Sequence, residues 1–96
     1  MTEQEFEWDP NKAATNAQKH DITFDDAKGV FADPHVLRVN VTRAEHSEQR
    51  MMAIGHIGLR MASVIYTERA GAIRIISARR ARRHEREQYG QDTGAG

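Results

Sequence analysis

The spacing of apolar residues changes period several times along the chain, and each change marks an element. Phe6 and Trp8 alternate with Glu5, Glu7 and Asp9, the two-residue period of a short half-buried strand. Asp9-Pro10 then opens a helix over 11–20, because aspartate caps a helix well and proline suits its first position. Ala13, Ala14 and Ala17 should turn inward from it. Thr23 starts a second helix with Asp26 in the capping-box position. Phe24, Ala27, Val30 and Phe31 recur at helical spacing as a stripe for the core, and Asp33-Pro34 ends the helix.

From there the period returns to two. Val36 to Val41 puts Leu37, Val39 and Val41 on one face. Arg50 to Ile57 divides into Met51, Ala53, Gly55 and Ile57 against Arg50, Met52, Ile54 and His56. Arg60 to Glu68 is rich in strand formers, Ala70-Gly71 reads as a turn, and Ala72 to Ser77 forms the last strand. Short joints favour an antiparallel meander. Phe24, Val30 and Phe31 are expected to pack against Ile65, Ile73 and Ile75 on it. Arg79 to Tyr89 then reads as a helix that Gly90 ends, and 91–96 as a disordered tail. The predicted class is α+β: a single domain over 1–90 with a short N-terminal strand, two helices, a four-stranded antiparallel sheet and a C-terminal helix.

Charge changes the picture more than overall composition does. The net charge is zero, yet residues 1–48 hold ten acids against five bases, and residues 49–96 hold four acids against nine arginines with no lysine. Such a two-faced molecule suits a polyanion on its basic side. The chain contains no cysteine, which excludes disulfides, thiolate zinc sites and cysteine nucleophiles and fits a reducing compartment. With no apolar run at the N-terminus and none long enough to span a bilayer, a cytoplasmic protein away from membranes is expected.

The candidate chemistry follows the arginines. There is no phosphate-cradling glycine loop and no nucleophile elbow. His20, His35, His46, His56 and His84 are scattered without i, i+4 pairs, so neither a metal site nor a cofactor is expected. On the predicted C-terminal helix Arg79, Arg83 and Arg86 share a side, Arg80 and Arg82 flank them, and only Ala81, Glu85 and Tyr89 can pack inward. Like charges so spaced repel, so keeping them points to an anion-binding surface, and arginine suits bidentate phosphate contact. Arg74, inside the apolar run Ile73-Arg74-Ile75-Ile76, must be paired or aimed into a cleft, where Arg60 and Arg69 could join it. Tyr66 shares the Arg60 face, and His46 and Arg50 flank a strand start. Arginines with histidine and tyrosine on one sheet fit a metal-free phosphodiesterase site.

Phe6-Glu7-Trp8-Asp9-Pro10-Asn11-Lys12, Asn16, Lys19-His20, Thr23-Phe24 and Val30-Phe31-Ala32-Asp33-Pro34 resemble the N-terminal half of the BrnT toxin family. His46-Ser47-Glu48, Arg50, Ile54-Gly55, Tyr66-Thr67-Glu68-Arg69, the block from Arg74 to Ala81, Glu85-Arg86 and Tyr89 resemble its second half. Asp21 stands where the family usually carries glycine, and the stretch from Gly55 to Arg60 is shorter and less polar than its usual turn. The resemblance implies a RelE-like fold and a type II toxin that cleaves RNA and blocks translation. It also implies a BrnA-type antitoxin as partner, with operator DNA bound only through the complex. Arg74, Arg79, Arg80 and Arg83 are then the leading phosphate ligands, with Arg50, Arg60, Arg69, Arg82 and Arg86 as further RNA contacts. Lys19, His20, His46 and Tyr89 are the candidates for acid and base. A non-catalytic nucleic-acid-binding or co-repressor module stays open as the alternative.

Overall fold

The computed structural model describes residues 3–92, and in it the caps read from the sequence set the first two helices. Helix α1 spans Pro10–His20, with the Asp9 carboxylate accepting the Asn11 amide at 2.8 Å. Helix α2 spans Phe24–Ala32, with the Thr23 hydroxyl accepting the Asp26 amide at 2.9 Å. Between them Asp21 closes α1 in the left-handed region, at φ 56° and ψ 35°. That conformation explains why a glycine would serve there, since a Cβ crowds the following carbonyl. Asp21→Gly should relieve more strain than its added unfolded-state entropy costs, a net gain of roughly 0.5 kcal/mol. A thermal melt should then shift upward by about 2–4 °C.

Strands β2 (Leu37–Asn40), β3 (Met51–Ile57), β4 (Arg60–Arg69) and β5 (Ala72–Arg80) form the expected antiparallel meander. The N-terminal strand β1 (Phe6–Glu7), not counted in the expected four-stranded sheet, joins it, pairing in parallel with β5 through Phe6 and Ile73. The sheet is therefore five-stranded and mixed, in the order β1-β5-β4-β3-β2. Burial of Phe6 against Phe31, at 5.4 Å between ring centroids, ties this short strand down.

Helices α1 and α2 cover one face of the sheet. There Ile22, Phe24, Ala27 and Val30 are buried with Ala53, Val64, Tyr66, Ile73 and Ile75. Ile65 is a correction: it lies on the opposite face, in a smaller core with Met52, Ile54, Ala81 and Tyr89, because Val64 and Tyr66 already hold its helix-facing neighbours' places. Ala14 is another, being exposed, whereas the polar Asn16 is buried. Asn16 takes the place of a missing strand: its amide donates to the Ala78 carbonyl at 2.8 Å and accepts the Ala78 N–H at 3.1 Å. These two bonds blunt the edge of β5 beyond β1.

The largest departure from the sequence reading lies at the C-terminus. β5 does not stop at Ser77 but continues to Arg80, paired with Ala62 of β4. Helix α3 starts only at Arg83 and runs through Gly90 to Asp92; residues 93–96 of the expected tail lie outside the described residues. Glu85 sets the start by accepting the Arg82 amide at 2.8 Å, the reach-back half of a capping box. Arg79 and Arg80 are thus strand residues, and the one-sided row of Arg79, Arg83 and Arg86 does not form. Pairing also slips between Ile65–Ser77 and Tyr66–Ile75, leaving Ile76 as an extra residue. The slip turns Ala78 toward α1 and Arg79 toward α3.

Candidate functional site

Where the chain between β2 and β3 passes beside α3, a cleft of about 460 Å³ opens over the sheet, and Arg43, His46, Arg50, Ser77, Arg79 and Glu85 supply its polar lining. Backbone pairing of Val41 with Arg50 at 2.9 Å, and the Arg50 amide on the Thr42 hydroxyl at 2.8 Å, close the loop that carries the first three. Within the loop the Arg43 amide donates to His46 Nδ1 at 3.0 Å. The ring proton of the neutral imidazole therefore sits on Nε2, so His46 rests as a hydrogen-bond donor. Neither Arg43 nor Arg50 has an acidic partner among the described residues, and Nε of Arg50 is buried without any hydrogen-bond acceptor. An orphaned buried donor costs about 1–3 kcal/mol unless a ligand meets it.

Arg79 is held differently. Its two terminal nitrogens donate to the two Glu85 oxygens at 2.8 and 2.7 Å. Glu85, whose side chain is 3% exposed, also accepts from Ser63 at 2.8 Å. Burial would raise its pKa, but the bonds from Arg79, the Arg82 amide and Ser63 outweigh that and hold it at about 2. So Glu85 orients Arg79 and is a poor base at neutral pH.

Tyr89 is also committed. Its hydroxyl donates to Asp33 at 2.8 Å, and Asp33 accepts the His56 amide at 2.9 Å as well, so α3 is tethered to the ends of α2 and β3. Burial and the Asp33 carboxylate push Tyr89 up to about 12. Burial opposes the charge on Asp33, but the His35 and His56 amides and the Tyr89 hydroxyl bring it down to about 2. Both depressed carboxylates stabilise the fold fully above their unfolded values near 4, by roughly 2–3 kcal/mol each, and lose that as pH falls toward 2. Urea midpoints should accordingly hold between pH 7 and 5 and drop steeply below pH 4.

The remaining sequence candidates are dispersed. Arg74 pairs with Glu7 at 3.7 Å and stands five residues from Arg79 on one extended strand, about 16 Å away, so Ser77-Ala78 separates the two rather than joining them. Arg69 meets Glu48 at 3.4 Å, Arg60 reaches the Asp21 carbonyl at 3.4 Å, and the three do not gather. Arg83 pairs with Glu87 at 3.2 Å, Arg86 donates to the Ala81 carbonyl at 2.7 Å, and Arg80 and Arg82 are exposed. Lys19 and His20 line a different cleft, of about 330 Å³, between α1 and β5. No periodicity marks Arg43 in the sequence, whereas the anchoring role of Glu85 is signalled by an acid three residues after Arg82, the capping-box spacing.

The family profile described as "Ribonuclease toxin, BrnT, of type II toxin-antitoxin system" matches residues 8–85. The chain belongs to the BrnT toxin family. This agrees with the motifs, and the matched span contains His46, Arg50, Arg79 and Glu85 of the cleft but stops short of Tyr89. No curated protein matches the chain. As a BrnT-family ribonuclease toxin of the type II class, the chain implies an antitoxin partner. Among the described residues no helix is long and apolar enough to cross a membrane, and no group of three histidine or acidic side chains is arranged to hold a metal ion.

Proposed function

We propose that this chain is an endoribonuclease whose active site is the arginine-lined cleft between the β2–β3 loop, β5 and α3, working without a metal ion. One observation carries the reading: Arg50 lines that cleft with no acidic partner among the described residues and no hydrogen bond at Nε, which leaves its guanidinium uncommitted for a phosphate. In the proposed reaction the RNA 2′-oxygen attacks the adjacent phosphorus while its proton is taken up. The bond to the 5′-oxygen breaks, that oxygen leaves protonated, and a 2′,3′-cyclic phosphate remains. Arg43, Arg50 and Arg79 stabilise the charge on the phosphorane.

His46 is the proposed proton-handling group, since of the four sequence candidates it alone lines this cleft. At rest it donates from Nε2 to the phosphate. Acting as acid or base requires releasing the Arg43 amide, a loss of about 1 kcal/mol. The wider reading is a RelE-like cytoplasmic toxin that inhibits translation, is neutralised by a BrnA-type antitoxin, and reaches operator DNA only in that complex.

Purified protein with excess chelator should cut single-stranded RNA and leave cyclic phosphate ends. Cleavage abolished by chelator, or salt-sensitive binding without cleavage, would overturn the proposal, the second outcome favouring a non-catalytic binding module. Expression without the antitoxin should arrest growth, with labelled amino-acid incorporation falling first.

A further inference from the structure

The arginine cleft does not end at the sheet. Ile76 and Ser77 line it on the α3 face, and the same two residues line the second cleft on the α1 face. The two clefts therefore meet across a single strand, β5, at the residue that its bulge pushes out of register. That edge is bare of strand partners there: β1 covers only Ile73 and Arg74, and Asn16 occupies the backbone of Ala78.

The second cleft has its own chemistry. Lys12, Thr15 and Lys19 recur at i, i+3 and i+7 on α1, so both lysines look out on one side. No residue from Pro10 to His20 is acidic; the nearest carboxylates on the chain are Asp9 and Asp21, beyond the two ends. Asp9 is engaged in capping, and neither lysine has an ion pair among the described residues. Both lysines are exposed residues. Asn11, Thr15 and His20 add hydrogen-bonding groups beside them.

We infer that single-stranded RNA crosses the open edge of β5 at Ile76–Ser77, with the scissile phosphate in the arginine cleft and a flanking phosphate held by Lys12 and Lys19. This rests on the active-site reading above and gives Lys19 and His20 a substrate-holding place instead of a role in proton transfer. Lysine suits it, because a flanking phosphate needs a mobile point charge and not the fixed fork that orients a reacting one.

Affinity of non-cleavable 2′-deoxy-substituted oligonucleotides, three and seven residues long, should be measured against salt for wild type, Lys12→Ala/Lys19→Ala and Arg50→Ala. Each lost phosphate contact lowers the slope of log K against log salt by about 0.7 for single strands. The double lysine variant, which gives up the one flanking phosphate, should lose about 0.7 from its slope on the heptamer and much of the heptamer's affinity advantage over the trimer. Lys12→Arg/Lys19→Arg should restore both. An unchanged slope in a folded double variant overturns the inference, including the case where that variant instead loses its grip on the antitoxin. Failure of the active-site reading looks different: wild type then cleaves no RNA, while the lysine-dependent slope is still measurable.

Discussion

Arg50→Ala lowers the rate of RNA cleavage by about 10²–10³-fold, the usual loss when one preorganised donor to a developing oxyanion is removed. The fold should be as stable or more so, because the orphaned donor goes with the side chain. Nε of Arg50 makes no hydrogen bond, so truncation leaves no partner stranded, and the neighbouring strand is fixed by the backbone bonds to Val41 and Thr42. Arg50→Lys keeps a charge but not the planar fork, and should recover only part of the rate. Single-turnover cleavage at saturating RNA, set beside a thermal melt, makes the check. A variant that melts at or above the wild-type temperature but cleaves 10²-fold or more slower satisfies it; a near-wild-type rate moves the chemistry out of this cleft.

Glu85→Ala has the larger effect on stability. It removes the acceptor for both Arg79 nitrogens, Ser63 and the Arg82 amide in one step, and undoes the cap of α3. Breaking a buried pair from one side costs about 3–5 kcal/mol. Arg79, with its side chain 23% exposed, can recover some hydration, so the low end, about 3 kcal/mol, is expected. Against a total of roughly 5–15 kcal/mol, urea unfolding should show a large fall in midpoint. By the same reasoning Arg79→Ala is not the mild surface substitution that an exposed helical position would have made it, because it strands a buried carboxylate. Arg74→Ala should cost little: its ion pair with Glu7 is long and both side chains reach solvent. A double-mutant cycle on Arg79 and Glu85 should return a coupling energy of about 1–3 kcal/mol.

Helices α1 and α2, with their caps at Asp9 and Thr23, were determined by the sequence itself, because capping and helical periodicity act within a few residues. The strands from β2 to β4 were legible for the same reason, as was the membership of Phe24, Val30, Ile73 and Ile75 in the core. The BrnT family resemblance, too, was carried by contiguous motifs. What lay beyond local reach was decided by long-range pairing. β1 became part of the sheet only because β5, more than sixty residues later, offers it an edge. Arg79 and Arg80 favoured a helix by local pattern, yet β4 extends far enough to hold both as strand, and tertiary pairing outweighs a weak propensity. One extra residue at Ile76 then chose the face on which Arg79 points. That single slip puts Arg79 with Arg50, whose face the strand alternation marks, and with Arg43 and His46, from a loop with no periodicity to read. The residue types of the candidate site were visible in the sequence; their grouping was set by strand register, which no local pattern encodes.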